Sequence, residues 1–351
     1  MNLINLGWNS FHEEAYQELK QEGLEIARVK LEHRGSYEVS TEKSTYMAAL
    51  SGKLRYDSEA RDDLPAVGDW VLIAPQENHR AVIHYVLPRK SKFSRKVAGH
   101  TTEEQIIATN IDTVFLVNAL NQDFNLGRIE RYLVMAWESG ANPVIVLSKA
   151  DLGKNIEEKV EALGRVAIGV PVHVVSSASD TGVDELTSYL ASGTTTALLG
   201  SSGAGKSTLI NKLYGSDVQT VQDIREGDGK GRHTTTSREL IVLESGGVLI
   251  DTPGMRELQL WEASDMSHSF HDIESLAQDC HFRDCKHNGE PGCAVEEAIQ
   301  DRKLERRRFQ NYQKFQRELF FLERQTNKKA QLEEKKKWKK LAGDRTRQHR
   351  R

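Results

Sequence analysis

Eight residues, Gly200-Ser201-Ser202-Gly203-Ala204-Gly205-Lys206-Ser207, hold the densest chemistry in the chain. Glycines at this spacing let successive backbone N–H groups turn toward an anion. Lys206 is placed to reach β- and γ-phosphates, and the Ser207 hydroxyl to face Mg²⁺. The apolar run Ala197-Leu198-Leu199 comes before, and Thr208-Leu209-Ile210-Asn211-Lys212-Leu213 continues in a helix-compatible pattern. Strand, phosphate loop and helix together imply a nucleoside triphosphate as ligand. Gly200 to Thr208 form its cradle, Lys206 also serves catalysis, and Ser207 is a candidate Mg²⁺ ligand.

Three further segments supply what such a site needs beyond a cradle. In Asp251-Thr252-Pro253-Gly254, which follows an apolar strand, Asp251 can hold Mg²⁺ through water and the Gly254 N–H can meet the γ-phosphate. Thr234-Thr235-Thr236, after Lys230-Gly231-Arg232-His233, lies in a polar, glycine-rich loop suited to ordering around γ-phosphate and metal, with Thr235 the candidate for Mg²⁺ and catalysis. In Ser148-Lys149-Ala150-Asp151, the carboxylate can accept from the N1–H and exocyclic amine of guanine while the Lys149 stem covers the base.

A separate cluster, Cys280-x4-Cys285-x-His287-x5-Cys293, contains all three cysteines of the chain within fourteen residues. An odd number so closely spaced argues against a disulfide framework. Three thiolates and one imidazole make a closed tetrahedral Zn²⁺ site, and a site without an open position is structural. His268, His271 and His281 break the spacing and read as surface or packing residues.

Several kinds of element must position these groups. Residues 9–21 read as a short helix capped by Asn9 or Ser10, with Phe11, Tyr16 and Leu19 on its apolar face. From Ile26 the pattern changes to five short alternating runs, at 26–29, 37–40, 46–50, 69–73 and 81–86, which predict a small antiparallel barrel of the oligonucleotide-binding (OB) type. Arg89-Lys90-Ser91-Lys92-Phe93-Ser94-Arg95-Lys96 follows, with five positive charges and one aromatic. It reads equally as an RNA contact, phosphate plus base stacking, or as a solvated linker. Beyond Ile106, near-continuous apolar runs at 112–118, 143–147, 172–175, 196–199 and 247–251 alternate with helix-compatible stretches such as 128–139 and 182–191. They predict a buried, mostly parallel sheet covered by helices. Residues 295–325 read as one helix with Phe309, Tyr312, Phe315, Leu319 and Leu322 along its packing face.

Length and charge bound the rest. A chain of 351 residues, 38% hydrophobic and 28% charged, fits two or three globular domains. Residues 302–351 carry 19 Lys and Arg against 6 acidic residues, while the remainder carries 29 against 45, so a +13 tail follows a −16 body. Such a tail suits a polyanion, or forms a basic solvated helix. The first eleven residues lack the basic and apolar regions of a signal peptide, and no run has the length of a transmembrane helix, so the expected location is cytoplasmic.

Taken together the site residues resemble those of a GTPase with rotated order: Ser148-Lys149-Ala150-Asp151 and the following Ser176-Ser177-Ala178 precede the phosphate loop instead of following the D-x-x-G segment. That order is characteristic of circularly permuted GTPases. With a barrel before and a cysteine/histidine cluster after, the chain resembles the ribosome small subunit-dependent GTPase A family over about residues 26–325, and Lys230 to Thr236 is similar to that family's switch I. The resemblance implies a multidomain α/β protein: an N-terminal extension (1–25), an OB-fold RNA-binding barrel (26–105), a permuted P-loop GTPase (106–262), a zinc-binding helical domain (263–325) and a basic tail (326–351). It implies guanine contacts from Ser176, Ser177 and Ala178, one structural Zn²⁺, and Mg²⁺ with GTP. It also implies a monomer that binds the small (30S) ribosomal subunit and its rRNA late in maturation, hydrolyses GTP to GDP and phosphate under subunit stimulation, and leaves on hydrolysis.

Two residues depart from the usual GTPase pattern. Ser148 stands in place of Asn, so one tie to the phosphate loop is weakened or passes to a hydroxyl. Met255 follows Gly254 where many GTPases carry a water-orienting Gln, so intrinsic hydrolysis is expected to be slow. His233 is then the nearest candidate to align water, beside a second reading in which it contacts rRNA or packs its loop. The D-x-x-G segment ends about 25 residues before the cysteine cluster, so movement of 252–262 would be transmitted there. Two other functions stay open at this point: a permuted GTPase of the large subunit, and an RNA-binding scaffold with structural nucleotide.

Overall fold

A computed structural model describes residues 2–19, 22–96, 104–215, 238–252 and 266–326. The switch I segment with His233 and Thr235, the segment with Gly254 and Met255, residues 253–262, and the basic tail beyond Thr326 lie outside the described residues. The described residues form two compact units, one up to Arg95 and from Glu104 to Thr252, the other from Met266 to Thr326.

In the first unit a short helix, α1 (Ser10–Leu19), precedes five strands: β1 (Glu25–Glu32), β2 (Tyr37–Ser40), β3 (Thr45–Leu50), β4 (Trp70–Gln76) and β5 (Arg80–Val86). Their order is β1-β2-β3-β5-β4, and β4 closes back on β1. Only the β3–β5 pair is parallel. This is the OB arrangement that the five alternating runs predict. Helix α2 (Gly52–Asp57), capped by the Ser51 hydroxyl that accepts the Leu54 N–H at 3.0 Å, joins β3 to β4. Inward residues at period two, among them Val29, Val39, Ala48, Val71, Ile73 and Ile83, fill the barrel.

Two expectations need correction here. Phe11 faces outward at 38% exposure, and His12 is the buried residue of α1, because its Nε2 meets Asn110 Oδ1 at 3.3 Å and its ring packs beside Trp8 and Trp70. Burial lowers His12 to about 4, so it is neutral. The basic segment 89–96 is not a solvated linker, and most of its charges are paired, although the Lys90 and Lys92 side chains stay 44% and 36% exposed. Arg89 forks onto the buried Asp69 (2.8 and 2.7 Å), Lys90 pairs with Asp112 (2.7 Å), Lys92 with Glu104 (2.9 Å), and Arg95 donates to Gln105 (3.0 Å). Phe93 is 1% exposed, so it cannot stack on a base. The segment forms β6 (Lys92–Lys96), paired with β7 (Glu104–Thr109).

The same unit continues with β8 (Thr113–Ala119), α3 (Leu126–Ser139), β9 (Asn142–Ser148), α4 (Ile156–Gly164), β10 (Val172–Val174), β11 (Thr195–Gly200), α5 (Lys206–Tyr214), β12 (Glu239–Val242) and β13 (Val248–Asp251). Strands run β10-β9-β8-β11-β13-β12; all pairs are parallel except β13–β12. The helix-compatible stretch 182–191 is a 3-10 helix over Asp184–Tyr189. At the far edge β12 pairs with β1 through Leu31 and Glu239, so barrel and mostly parallel sheet are continuous.

Arg28 on β1 joins four parts of this unit. It is 1% exposed and donates to Leu6 O, Gly68 O (3.1 Å), Asn110 O (3.2 Å) and Thr195 Oγ1 (2.9 Å), with its guanidinium over the Trp70 ring. Burial lowers it only to about 10, so the cation persists at neutral pH. Arg28→Met is expected to leave these acceptors buried without a donor and to destabilise the unit by about 3–5 kcal/mol. A calorimetric Tm equal to the parent's would contradict this.

The second unit comprises α6 (Ser267–Gln278), α7 (Ala294–Gln300) and α8 (Arg306–Thr326). The helix expected over 295–325 is therefore two. Arg302 adopts φ 58°, in the left-handed region, and the Lys303 N–H turns back to Ala298 O at 2.9 Å, which ends α7 with a local cap. Along α8, Phe309, Tyr312, Phe315 and Leu322 are buried as the spacing predicts, while Leu319 is only half-buried. Arg308 locks α8 to α6 through a fork on Asp272 (2.6 and 2.7 Å) and a bond to Ser269 O (2.8 Å). Among the described residues no helix is long and apolar enough to cross a membrane.

Candidate nucleotide site and metal centre

The phosphate loop runs from the carboxyl end of β11 to the start of α5. Gly200 is required by packing: a Cβ there would sit 2.3 Å from Val117 O on β8. Gly205 turns the chain into α5 at φ 90°. Lys206 is buried and its Nζ donates to Gly200 O (2.9 Å) and Ser201 O (3.1 Å), so the ammonium lies folded into the loop. Burial lowers Lys206 to about 8 while Asp251 acts in the opposite direction. Ser207 and Thr208 are half-buried on the first turn of α5, and Ser202 and Gly203 lie on the open side of the loop.

Hydroxyl bonds pin the loop near both ends. Ser148, at the end of β9, donates to Ala204 O at 2.6 Å, so the tie expected of an asparagine is made here by a serine. Lys149 adopts φ 57°, and its Cε and Ser148 Oγ are the atoms nearest the α-carbon face of Gly205. Asp151 is exposed, and Ser176 Oγ donates to its Oδ1 at 2.6 Å. The backbone supports this pairing through Ala150 N–H to Val175 O at 3.1 Å. Ser177 is half-buried and Ala178 exposed beside them. At the loop's other end, Ser201 Oγ donates to Asp123 Oδ2 at 2.5 Å. Sequence reasoning missed Asp123. The available signal was its place just past β8, at the carboxyl edge of a parallel sheet, ahead of the Asn125 cap of α3.

Asp251 ends β13 in register with Leu198 and is 1% exposed. Among the described residues neither carboxylate oxygen has a well-formed hydrogen-bond partner, and burial, countered in part by Lys206, raises Asp251 to about 6. A buried anion without donors suits a bound cation. Mg²⁺ therefore fits the residues present. Thr252 Oγ1 donates to Leu198 O at 2.5 Å and fixes the chain leaving Asp251.

In the second unit, the ligand atoms of Cys280, Cys285, His287 and Cys293 all lie within 4.8 Å of one another. His287 Nδ1 is 3.6 Å from Cys280 Sγ and 3.4 Å from Cys293 Sγ. Cys280 follows α6, and Cys293 caps α7, its sulfur accepting the Glu296 N–H at 3.4 Å. Glu290 closes the intervening loop by accepting the N–H groups of Lys286 (3.0 Å) and Asn288 (2.6 Å). The four ligand atoms converge on one point and fit a metal ion. His271 and His281 are exposed and stay out of the cluster.

A central β11 carrying the phosphate loop, with β8 beside it and β9 beyond β8 both preceding it in the chain, defines a circularly permuted GTPase. A family model described as RsgA GTPase matches residues 86–261, and one described as 50S ribosome-binding GTPase matches 195–341, starting at the first residue of β11. The chain is 45% identical to small ribosomal subunit biogenesis GTPase RsgA 1 of Oceanobacillus iheyensis over 90% of this chain and 91% of that one. It is 42% identical to RsgA of Opitutus terrae over 97% and 96%. A crystal structure of YjeQ from Thermotoga maritima superposes with TM-score 0.61 at 28% identity, covering 85% of this chain and 99% of that one. The crystal structure of YloQ, described as a circularly permuted GTPase, shares the fold at TM-score 0.60 and 24% identity over 85% and 96%. The chain belongs to the RsgA family of small ribosomal subunit biogenesis GTPases.

Proposed function

We propose that this GTPase acts late in maturation of the small ribosomal subunit, binding its rRNA as a monomer in the cytoplasm and leaving when GTP is hydrolysed. The observation that carries this reading is the extent of the match: relatives named for small-subunit biogenesis align with barrel, permuted GTPase and cysteine cluster together, not with the nucleotide core alone. The division into extension, barrel, GTPase, zinc domain and tail at residues 25, 105, 262 and 325 goes with it.

In this reading Asp151 and Lys149 read guanine, with Ser148 and Ser176 holding them. Gly200 to Thr208 bind the phosphates, and Ser207, Thr235, Asp251 and Gly254 gather around Mg²⁺ and the γ-phosphate. Mg²⁺ would neutralise charge developing on the β- and γ-phosphates. Cys280, Cys285, His287 and Cys293 hold a structural Zn²⁺. Asp151→Asn tests the base assignment: an amide presents a donor where guanine already donates, so GTP affinity is expected to fall by about 10²-fold. Titration with GTP, ATP and xanthosine triphosphate measures it; an unchanged GTP preference would remove Asp151 from the role.

Multiple-turnover GTP hydrolysis with purified small and large subunits tests the function. Strong stimulation by the small subunit alone is expected; stimulation by the large subunit, or by neither, would favour the other functions. In the same assay His233→Ala is expected to lower stimulated turnover about 10²-fold while GTP and subunit binding hold, if the imidazole aligns water. Unchanged turnover at saturating subunits would assign that task to the ribosome.

A further inference from the structure

We propose that Asp123 is a positioning residue for GTP binding, acting on the phosphate loop through Ser201. The proposal rests on the reading of Gly200 to Ser207 as the phosphate cradle. Ser201 is the first residue of the loop after β11, 2% exposed, and its side chain donates to Asp123 Oδ2 at 2.5 Å. That length belongs to a hydroxyl bonded to an ionised carboxylate. Arg128 secures the charge: its Nη1 and Nη2 lie 2.8 and 3.1 Å from the two Asp123 oxygens, and the pairing holds the guanidinium above its ordinary value.

Both partners are fixed by backbone. Asn121 Oδ1 accepts the Asp123 N–H at 3.0 Å, and the Arg128 N–H is capped by Asn125 Oδ1 at 3.1 Å where α3 begins. The Ser201 carbonyl, meanwhile, accepts Lys206 Nζ at 3.1 Å. With the Ser201 side chain tied outward to Asp123 and its carbonyl turned inward to Lys206, the first peptide of the loop has one orientation. The Ala204 N–H also turns back to Ser201 O, at 3.2 Å, so the first turn of the loop is fixed from both sides. Ser148 performs the matching task at Ala204, so the cradle is held at two points, by the last residue of β9 and by the connection that follows β8. Preorganisation of this kind lowers the ordering cost of binding and slows nucleotide release.

The test measures release of a fluorescent GDP analogue from the full chain in parallel with the Tm of the nucleotide-free protein. Ser201→Ala, a small change in a buried site, and Asp123→Ala are each expected to speed release by about 10-fold, the scale of a lost charge-assisted hydrogen bond. The double variant should be no faster than either single one. Asp123→Asn, whose amide oxygen can still accept from Ser201, should recover most of the wild-type rate. Release at the wild-type rate in Ser201→Ala or Asp123→Ala, additive effects in the double variant, or a lowered Tm without faster release would overturn the proposal. A wild-type chain that fails to retain the analogue would instead overturn the cradle reading itself.

Discussion

Asp251→Asn is expected to make the nucleotide-free protein more stable while removing Mg²⁺-dependent hydrolysis. Burial raises the Asp251 carboxyl from an ordinary 3.8 to about 6, even with Lys206 attracting its charge. A raised carboxyl favours the protonated, folded form. Its stabilising contribution is complete below the unfolded value near 3.8 and is lost as pH rises through about 6. At pH 7 the folded chain therefore bears the cost of an ionised, desolvated group, about 3 kcal/mol for a shift of this size. Asparagine carries no charge at any pH, and the burial of its amide offsets part of the gain, leaving a net of about 1–2 kcal/mol. The advantage over the parent should shrink toward pH 4. Turnover, by contrast, should fall on the order of 10³-fold, because the group that suits the cation is gone. Calorimetry without nucleotide at pH 7 and pH 4.5, paired with a Mg²⁺ titration of hydrolysis, checks both halves. A parent more stable than the variant at pH 7 would refute the burial argument.

The second large effect concerns the cysteine cluster. Chelation, or Cys285→Ser, is expected to unfold the segment from Cys280 to Cys293 and loosen the ends of α6 and α7, while GTP binding in the other unit persists. The segment has little else to hold it: its side chains are mostly exposed, and its ties among the described residues include the Glu290 bonds, the His281 N–H to Gly292 O at 3.0 Å, the Cys285 N–H to Phe282 O at 3.2 Å and the His287 ring beside Phe309. A structural Zn²⁺ contributes roughly 10–16 kcal/mol in small sites, so its removal outweighs those ties. Hydrogen exchange over the segment and stoichiometric metal analysis read the outcome. Protection retained after complete metal loss would show that the loop folds by itself.

Much of the site was legible because its chemistry is local. Six consecutive residues carry the loop from Gly200 to Gly205, four carry the segment from Ser148 to Asp151 that is proposed to read guanine, and the cysteines announce themselves by isolation. The barrel was legible for a related reason: period-two alternation in short runs maps directly onto inward and outward faces. Partners far apart in sequence were not. Nothing near Arg89 reveals that Asp69, twenty residues earlier, neutralises it, so a paired strand read as a free basic patch. Arg28 and Thr195 are 167 residues apart, and Asp123 and Ser201 are 78 apart. The break at Arg302 was hidden because a left-handed arginine has no composition signal of the kind glycine gives.

The place of β11 between β8 and β13 also has a consequence for how the chain is made. Synthesis delivers β8, β9 and β10 first, and the strand that pairs with the inner edge of β8 emerges only after residues 120–194. At an elongation rate of about 5–20 residues per second, that apolar edge waits roughly 4–15 s for its neighbour, a window in which a chaperone or a wrong strand can reach it. The insertion of β11 covers that edge of β8 and brings in the loop from Gly200 to Ser207, and Asp251 arrives later still with β13, which covers the other edge of β11.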